Sequence, residues 1–153
     1  MVWGAFCGRI KSDLVFIPGK ATMDSALYVE NVMEPHVVPF WHECREAYGW
    51  VAVMGDGVPG HKGFAKNYRQ LNAMEHIPLP AQSPDLNLIE ALWLDMEMEL
   101  GETWAWIGDI PALERALNTV WQGIPGDRLE RLIDSMAQWL QALINAEGGS
   151  TPY

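Results

Sequence analysis

Apolar and polar positions along the chain change period several times, and each change marks an element. Val2 to Phe6 and Asp13 to Ile17 read as strands with Gly8-Arg9-Ile10-Lys11-Ser12 as the turn between them, which predicts an antiparallel hairpin. Pro18-Gly19 ends the second strand, and Thr22 is placed to cap a helix with apolar positions at Leu27, Tyr28 and Val32. Pro35 and Pro39 are expected to interrupt that helix before a second piece carrying Phe40, Trp41, Cys44 and Tyr48. Trp50-Val51-Ala52-Val53-Met54 is apolar without alternation, the pattern of a strand buried on both faces, and it runs out at Gly55-Asp56-Gly57. His61 to Met74 reads as helix, and His76 to Pro80 as a short, proline-bounded strand near a sheet edge.

Helical spacing then takes over. Asn87 opens a helix whose apolar face holds Ile89, Leu92, Trp93, Met96 and Leu100 and which Gly101 stops. A second helix carries Leu113, Leu117, Val120 and Trp121. A third opens on Asp127-Arg128-Leu129-Glu130, a capping-box pattern, buries Leu129, Leu132, Ile133, Met136, Leu140 and Leu143, and ends at Gly148-Gly149. Strands and helices in this order, after an opening hairpin, predict an α/β fold with a sheet part antiparallel and part parallel.

Composition narrows the class. A chain of 153 residues that is 49% hydrophobic and 20% charged suits one soluble domain, and no apolar run is long enough to span a bilayer. Met1 leads into Val2-Trp3-Gly4 with no basic stretch before it, which argues against a secretory leader. Cys7 and Cys44 are far apart in sequence, suggesting a reducing compartment and no disulfide framework. His42-Glu43-Cys44 is too tightly spaced for structural zinc, and tryptophans on apolar stripes, such as Trp93 and Trp121, fit core packing. The net charge of −10 argues against sequence-independent nucleic-acid binding. The acids are concentrated, with nine between Gln70 and Glu114 and no Lys or Arg, while Lys62, Lys66 and Arg69 lie just upstream. Most of those acids read as a solvated helix face, and one or two as ligands of a divalent metal.

Two acids stand out. Asp56 follows a strand, where the carboxyl ends of α/β sheets form ligand crevices, but a turn aspartate explains it as well. Glu90 lies in the first turn of the strongest helix, either as a metal ligand or as the capping-box partner of the Asn87 main chain. The wider strings add weight. Residues 80–93, Pro-Ala-Gln-Ser-Pro-Asp-Leu-Asn-Leu-Ile-Glu-Ala-Leu-Trp, resemble the signature around the third catalytic acid of mariner-superfamily DDE transposases. Gly55-Asp56-Gly57-Val58-Pro59-Gly60-His61-Lys62 resembles the segment around the second acid, and Met1-Val2-Trp3-Gly4-Ala5 the strand after the first. Thr22-Met23-Asp24-Ser25 with Tyr28, and Gly148-Gly149 with Tyr153, fit the same family, in a fungal flavour, so the resemblance covers nearly the whole chain.

The resemblance implies an RNase H-like mixed sheet flanked by helices, with residues 1–153 forming part of a DDE endonuclease domain and lacking its first, central strand. It implies metal-dependent DNA cleavage and strand transfer with two Mg2+ or Mn2+ ions, Asp56 as second acid and Glu90 as third. Thirty-three residues separate those two, one fewer than the family's commonest spacing. His61 and Lys62 would touch phosphate, or simply form a solvated helix start. No residue matches the first aspartate, since Asp13 and Asp24 fall on later elements, and no helix-turn-helix DNA-binding region is present. Leu79 replaces a usual Trp, and Gln138-Trp139 replaces common basic residues, exposing an aromatic. The expectation is an inactive fragment of low stability, nuclear by family, with DNA, a homodimer mate or a full-length transposase as partner. The alternative is a non-catalytic interaction or dimerisation module.

Overall fold

In the computed structural model, which describes residues 1–17, 24–55, 63–80, 83–101, 107–147 and 149, the chain opens with the expected hairpin. Strand β1 (Val2–Trp3) pairs antiparallel with β4 (Val15–Phe16), and β2 (Phe6–Cys7) with β3 (Ile10–Lys11). Trp3 faces Val15 while Phe6 faces Lys11, so two residues, Gly4 and Ala5, lie opposite three, Ser12, Asp13 and Leu14. The extra residue is a bulge. Ser12 holds it together: its N–H donates to the Ala5 carbonyl at 2.9 Å, and its Oγ accepts from the Ala5 N–H at 2.9 Å. The turn is tighter than expected, because Ile10 and Lys11 are already in the ladder. Gly8 makes it possible, with φ of +56° and an ideal Cβ position only 2.2 Å from the Tyr48 ring.

The prolines do not interrupt the next element. Helix α1 (Ser25–Tyr28) passes into a π-helical stretch, Val29–Val37, and then into α2 (Val38–Tyr48) without a break. The Val38 N–H reaches back to the Met33 carbonyl, an i→i−5 bond, so Pro35 sits in a widened turn whose carbonyls are displaced from the proline ring. Pro39 follows at the junction of the π-helical stretch with α2, and the helix continues through it as well. The cap is Asp24, whose Oδ1 accepts from the Ala26 and Leu27 N–H groups; Thr22 lies outside the described residues.

Strand β5 (Val53–Gly55) is shorter and less buried than its apolar run suggested, and Trp50 is 66% exposed. The reason is that β5 pairs on one side with β6 (His76–Pro78), an exposed edge strand, and among the described residues with nothing on the other. The two run parallel, joined through α3 (Phe64–Leu71). The expected single mixed sheet is therefore, among the described residues, three separate two-stranded pairs, of which only β5–β6 is parallel. A short 3-10 turn, Pro84–Leu86, leads into α4 (Leu88–Gly101), followed by α5 (Ile110–Gly123) and α6 (Gly126–Asn145).

Strand residues alternate between two cores, which makes three layers. One core joins Leu14, Phe6, Phe16 and Met54 to Leu88, Leu92 and Met96 of α4, Trp121 of α5, and Leu129 and Leu132 of α6. The other joins Trp3, Ile17 and Val53 to Val29, Val32, Met33 and Trp41 of the first helical run and Ala65 of α3. Phe16 and Ile17, and likewise Val53 and Met54, thus serve opposite sides, as the period of a strand requires. Trp121 bolts the hairpin to the first layer. It is fully buried, stacks on Trp93 with ring centroids 5.5 Å apart, and donates its Nε1–H to the Ser12 carbonyl at 2.7 Å.

Helix α6 departs from the sequence pattern twice. Its N-cap is Pro125 with no side-chain cap bond, and Asp127 and Glu130 instead form ion pairs with Arg9 of the hairpin turn. Ile133 and Leu140, expected inside, are 39% and 45% exposed, because Leu132, Met136 and Trp139 take the core-facing side of α6 and leave these two on another face. Trp139, expected to be exposed, packs on the core instead. Gly148 lies outside the described residues, and α6 ends at Asn145.

Trp121→Phe keeps most of the ring volume but leaves the buried Ser12 carbonyl without its donor. It should lower unfolding stability by about 1–3 kcal/mol, read as a shift of the urea midpoint at unchanged slope.

Candidate functional site

The parallel pair sets the direction of the candidate site. Gly55, the last residue of β5, lies directly across from Pro78, the last of β6. Asp56 follows Gly55 in sequence, and the chain after Pro78 leads through the 3-10 turn to the first turn of α4, where Glu90 stands. Met54 and the α4 residues Leu88, Ile89 and Leu92 belong to one apolar cluster, so the carboxyl end of β5 and the start of α4 share a core. Asp56, His61 and Lys62 lie outside the described residues, leaving Glu90 as the predicted site residue whose surroundings are defined.

Glu90 is exposed, and its main-chain N–H bonds to the Asn87 carbonyl at 2.9 Å. The Asn87 N–H is committed to the Pro84 carbonyl at 2.9 Å, because the 3-10 turn closes on it. The buried Asn87 side chain instead donates its Nδ2 to Glu90 Oε1 at 3.3 Å. One oxygen of the carboxylate is therefore held by a side-chain amide. Two carboxylates with hard oxygen donors suit a divalent ion such as Mg2+ or Mn2+. Among the described residues, no group of three or more His, Cys, Asp or Glu gathers closely enough to hold one.

The other acids of α4 sort themselves. Asp95 takes a two-pronged bond from Arg128 of α6, at 2.8 and 3.1 Å, while Glu97 and Glu99 are exposed. Asp24 is occupied as a helix cap, and Asp13 Oδ1 accepts from Gln122 Nε2 at 3.3 Å. Ser25 serves α3: its Oγ accepts from the Ala65 N–H at 2.7 Å, just after Gly63 (φ +52°). Ser25 thus ties the start of the first helical run to the start of α3. Of the upstream cations, Lys66 is exposed, whereas Arg69 is buried next to Tyr28 and its guanidinium pKa is lowered by that burial.

Sequence reasoning missed one pair altogether. Cys7 and Cys44, 37 positions apart in the chain, come close enough for their free thiols to influence one another. Burial, together with Cys7, pushes the Cys44 thiol from 9.0 up to about 12. Burial also raises Cys7, against which the Cys44 hydrogen bond works. No local spacing signals such a contact, since it depends on the hairpin turn docking on α2. Folded Cys44 keeps a proton that the unfolded chain gives up. Its contribution to stability is whole below pH 9 and drains away as pH rises toward 12, by on the order of 1 kcal/mol per pH unit. Urea titrations of the reduced chain at rising alkaline pH should show a steeper loss for the wild type than for Cys44→Ala.

No protein-family model matches the chain. Along its whole length it is similar to the transposable element Tc1 transposase of Caenorhabditis elegans, 35% identical over 154 residues, and to the Tcb1 transposase of Caenorhabditis briggsae, 32% identical over 157 residues. The Tc3 transposase of Caenorhabditis elegans is 28% identical over 155 residues. Each match takes in 100% of this chain and 54%, 54% and 45% of the relative, so the chain spans about half the length of the curated relatives it matches. The homologues of this chain are thus Tc1/mariner-type transposases.

Proposed function

We propose that the chain is a transposase-derived unit of RNase H-like fold, whose family activity is metal-dependent DNA cleavage and strand transfer, with Asp56 and Glu90 as metal-binding acids. The observation that carries this reading is topological. Asp56 follows the carboxyl end of β5, and the carboxyl end of the parallel strand β6 leads to the helix start that bears Glu90. The similarity to transposases over the whole chain supports it independently.

A divalent ion pair would supply an activated oxygen nucleophile and charge neutralisation at phosphorus when bound. The chain's own part is to present carboxylates. Glu90 would do so from a rigid helix start, with Asn87 orienting one of its oxygens as an outer-shell donor. His61 and Lys62 are proposed, in the same reading, to meet phosphate. Two acids are one short of a three-acid centre, so these 153 residues are expected to bind the ions weakly and to cut DNA poorly. DNA as substrate and the nucleus as the place of action belong to the same proposal.

A specific observation favours a second reading, a non-catalytic interaction module. Ile133, Leu140 and Ile144 form an exposed apolar stripe on α6, and Leu94 and Met98 another on α4. Light scattering together with a DNA assay separates the two readings.

Supercoiled plasmid with Mg2+ or Mn2+ should be nicked slowly by the wild-type chain and not by Asp56→Ala or Glu90→Ala. Equal nicking by all three removes the two acids from the proposal. No nicking and no calorimetric heat with Mn2+, alongside a stable dimer, leaves the interaction module. Where Mn2+ binding is measurable, Asn87→Ala should weaken it about tenfold, the usual cost of losing an outer-shell partner.

A further inference from the structure

The tip of the hairpin rests on one face of α2. Gly8 lies against the Tyr48 ring, and the Arg9 N–H donates to Tyr48 Oη at 2.9 Å. Cys44 precedes Tyr48 by four positions and so projects from the same face, one turn back. Cys7 precedes Gly8, so the same docking brings its thiol near that of Cys44, and the two influence each other's ionisation. Three successive residues of the turn thus meet two successive turns of the helix, which makes the thiol contact part of a continuous docking surface.

We propose that Cys7 and Cys44 form a reversible dithiol site that closes to an intramolecular disulfide on reaction with a small disulfide oxidant such as oxidised glutathione. The Cys7 thiolate attacks one sulfur of the oxidant, forming a mixed disulfide and releasing one glutathione thiolate, which takes up the Cys7 proton. Cys44 then gives up its proton and attacks the Cys7 sulfur, expelling the second glutathione. Two protein thiols lose two electrons and two protons, and one glutathione disulfide is reduced to two thiols. The order follows from access: Cys7 is half-buried, whereas Cys44 is 1% exposed. Burial raises both thiols, that of Cys44 to about 12, so the thiolate that starts the exchange forms at Cys7 rather than at Cys44. The closed bond would tie the opening hairpin to α2 across 36 intervening residues, a loop long enough for the cross-link to restrict the unfolded chain strongly. The proposal is independent of any metal or DNA chemistry.

The test uses the full chain, reduced and then equilibrated with glutathione at graded ratios of thiol to disulfide. Products are trapped by acid and alkylated, and the intact mass and peptide map are read. The expected product is a monomer two hydrogens lighter, with no alkylatable thiol and a Cys7–Cys44 cross-linked peptide. Its Tm should exceed that of the reduced chain by about 5–15 °C. The bond should survive glutathione ratios about 100-fold more reducing in the folded chain than in concentrated urea, because the fold supplies the proximity. Cys44→Ser should accumulate the Cys7 glutathione adduct, and Cys7→Ser should react far more slowly. Wild type that stops at glutathione adducts, forms disulfide-linked dimers, retains both thiols under oxidising ratios, or closes equally well in urea would overturn the proposal. Because these readings are made on the wild type, they stand even where a variant folds poorly.

Discussion

One indole holds the layers in register. Trp121 fills the centre of the α4–α5–α6 core, lies on Trp93, and hands its only polar atom to the Ser12 carbonyl. That carbonyl is available because the hairpin bulges at Ser12, where the side chain stands in for a ladder bond. The neighbouring backbone can come this close because position 4 is glycine: an ideal Cβ there would lie 3.2 Å from Trp93 and 3.4 Å from Trp121. Bulge, glycine and indole form a single arrangement, and the placement of α4, hence of Glu90, follows from it.

The same economy of partners explains why the acids of α4 differ. Asp95 is tied to Arg128, joining α4 to α6, and Glu97 and Glu99 meet water. Glu90 stands apart because the 3-10 turn before it consumes the Asn87 N–H that a capping box would use. A proline-led turn thereby engages the Asn87 N–H, while the buried Asn87 amide holds one oxygen of the carboxylate.

Much of the fold was legible because it is local. Helical spacing marked α4, α5 and α6, and the two apolar stretches around Gly8 marked the hairpin. What escaped the sequence depended on partners distant in the chain. The run at Trp50–Met54 looked doubly buried, yet burial is set by neighbours that composition does not reveal, and Trp50 is largely exposed. Pro35 looked like a break, yet a π-helical turn absorbs it. Asp127 and Glu130 looked like cap residues, yet Arg9 claims both. Of the candidate site, Glu90 and its competing cap were readable from the first-turn position alone. Asn87 as a side-chain partner was not, because it depends on where the preceding turn directs its N–H.

The hairpin tip has a mechanical consequence. On one side it leans on α2 through Cys7, Gly8 and Arg9; on the other, Arg9 grips the start of α6 and the Lys11 ammonium caps the end of α5 through the Gln122 and Ile124 carbonyls. A few residues therefore act as a rivet through both helical sheaths, so neither can slide over the strands without bending the tip. The rivet is asymmetric. Added electrolyte slackens the Arg9 side, which is ionic and solvated, and leaves the phenol and thiol side taut. Of the two grips at the tip, the one on α6 is accordingly the one that brine would weaken, while the buried indole keeps that sheath in place.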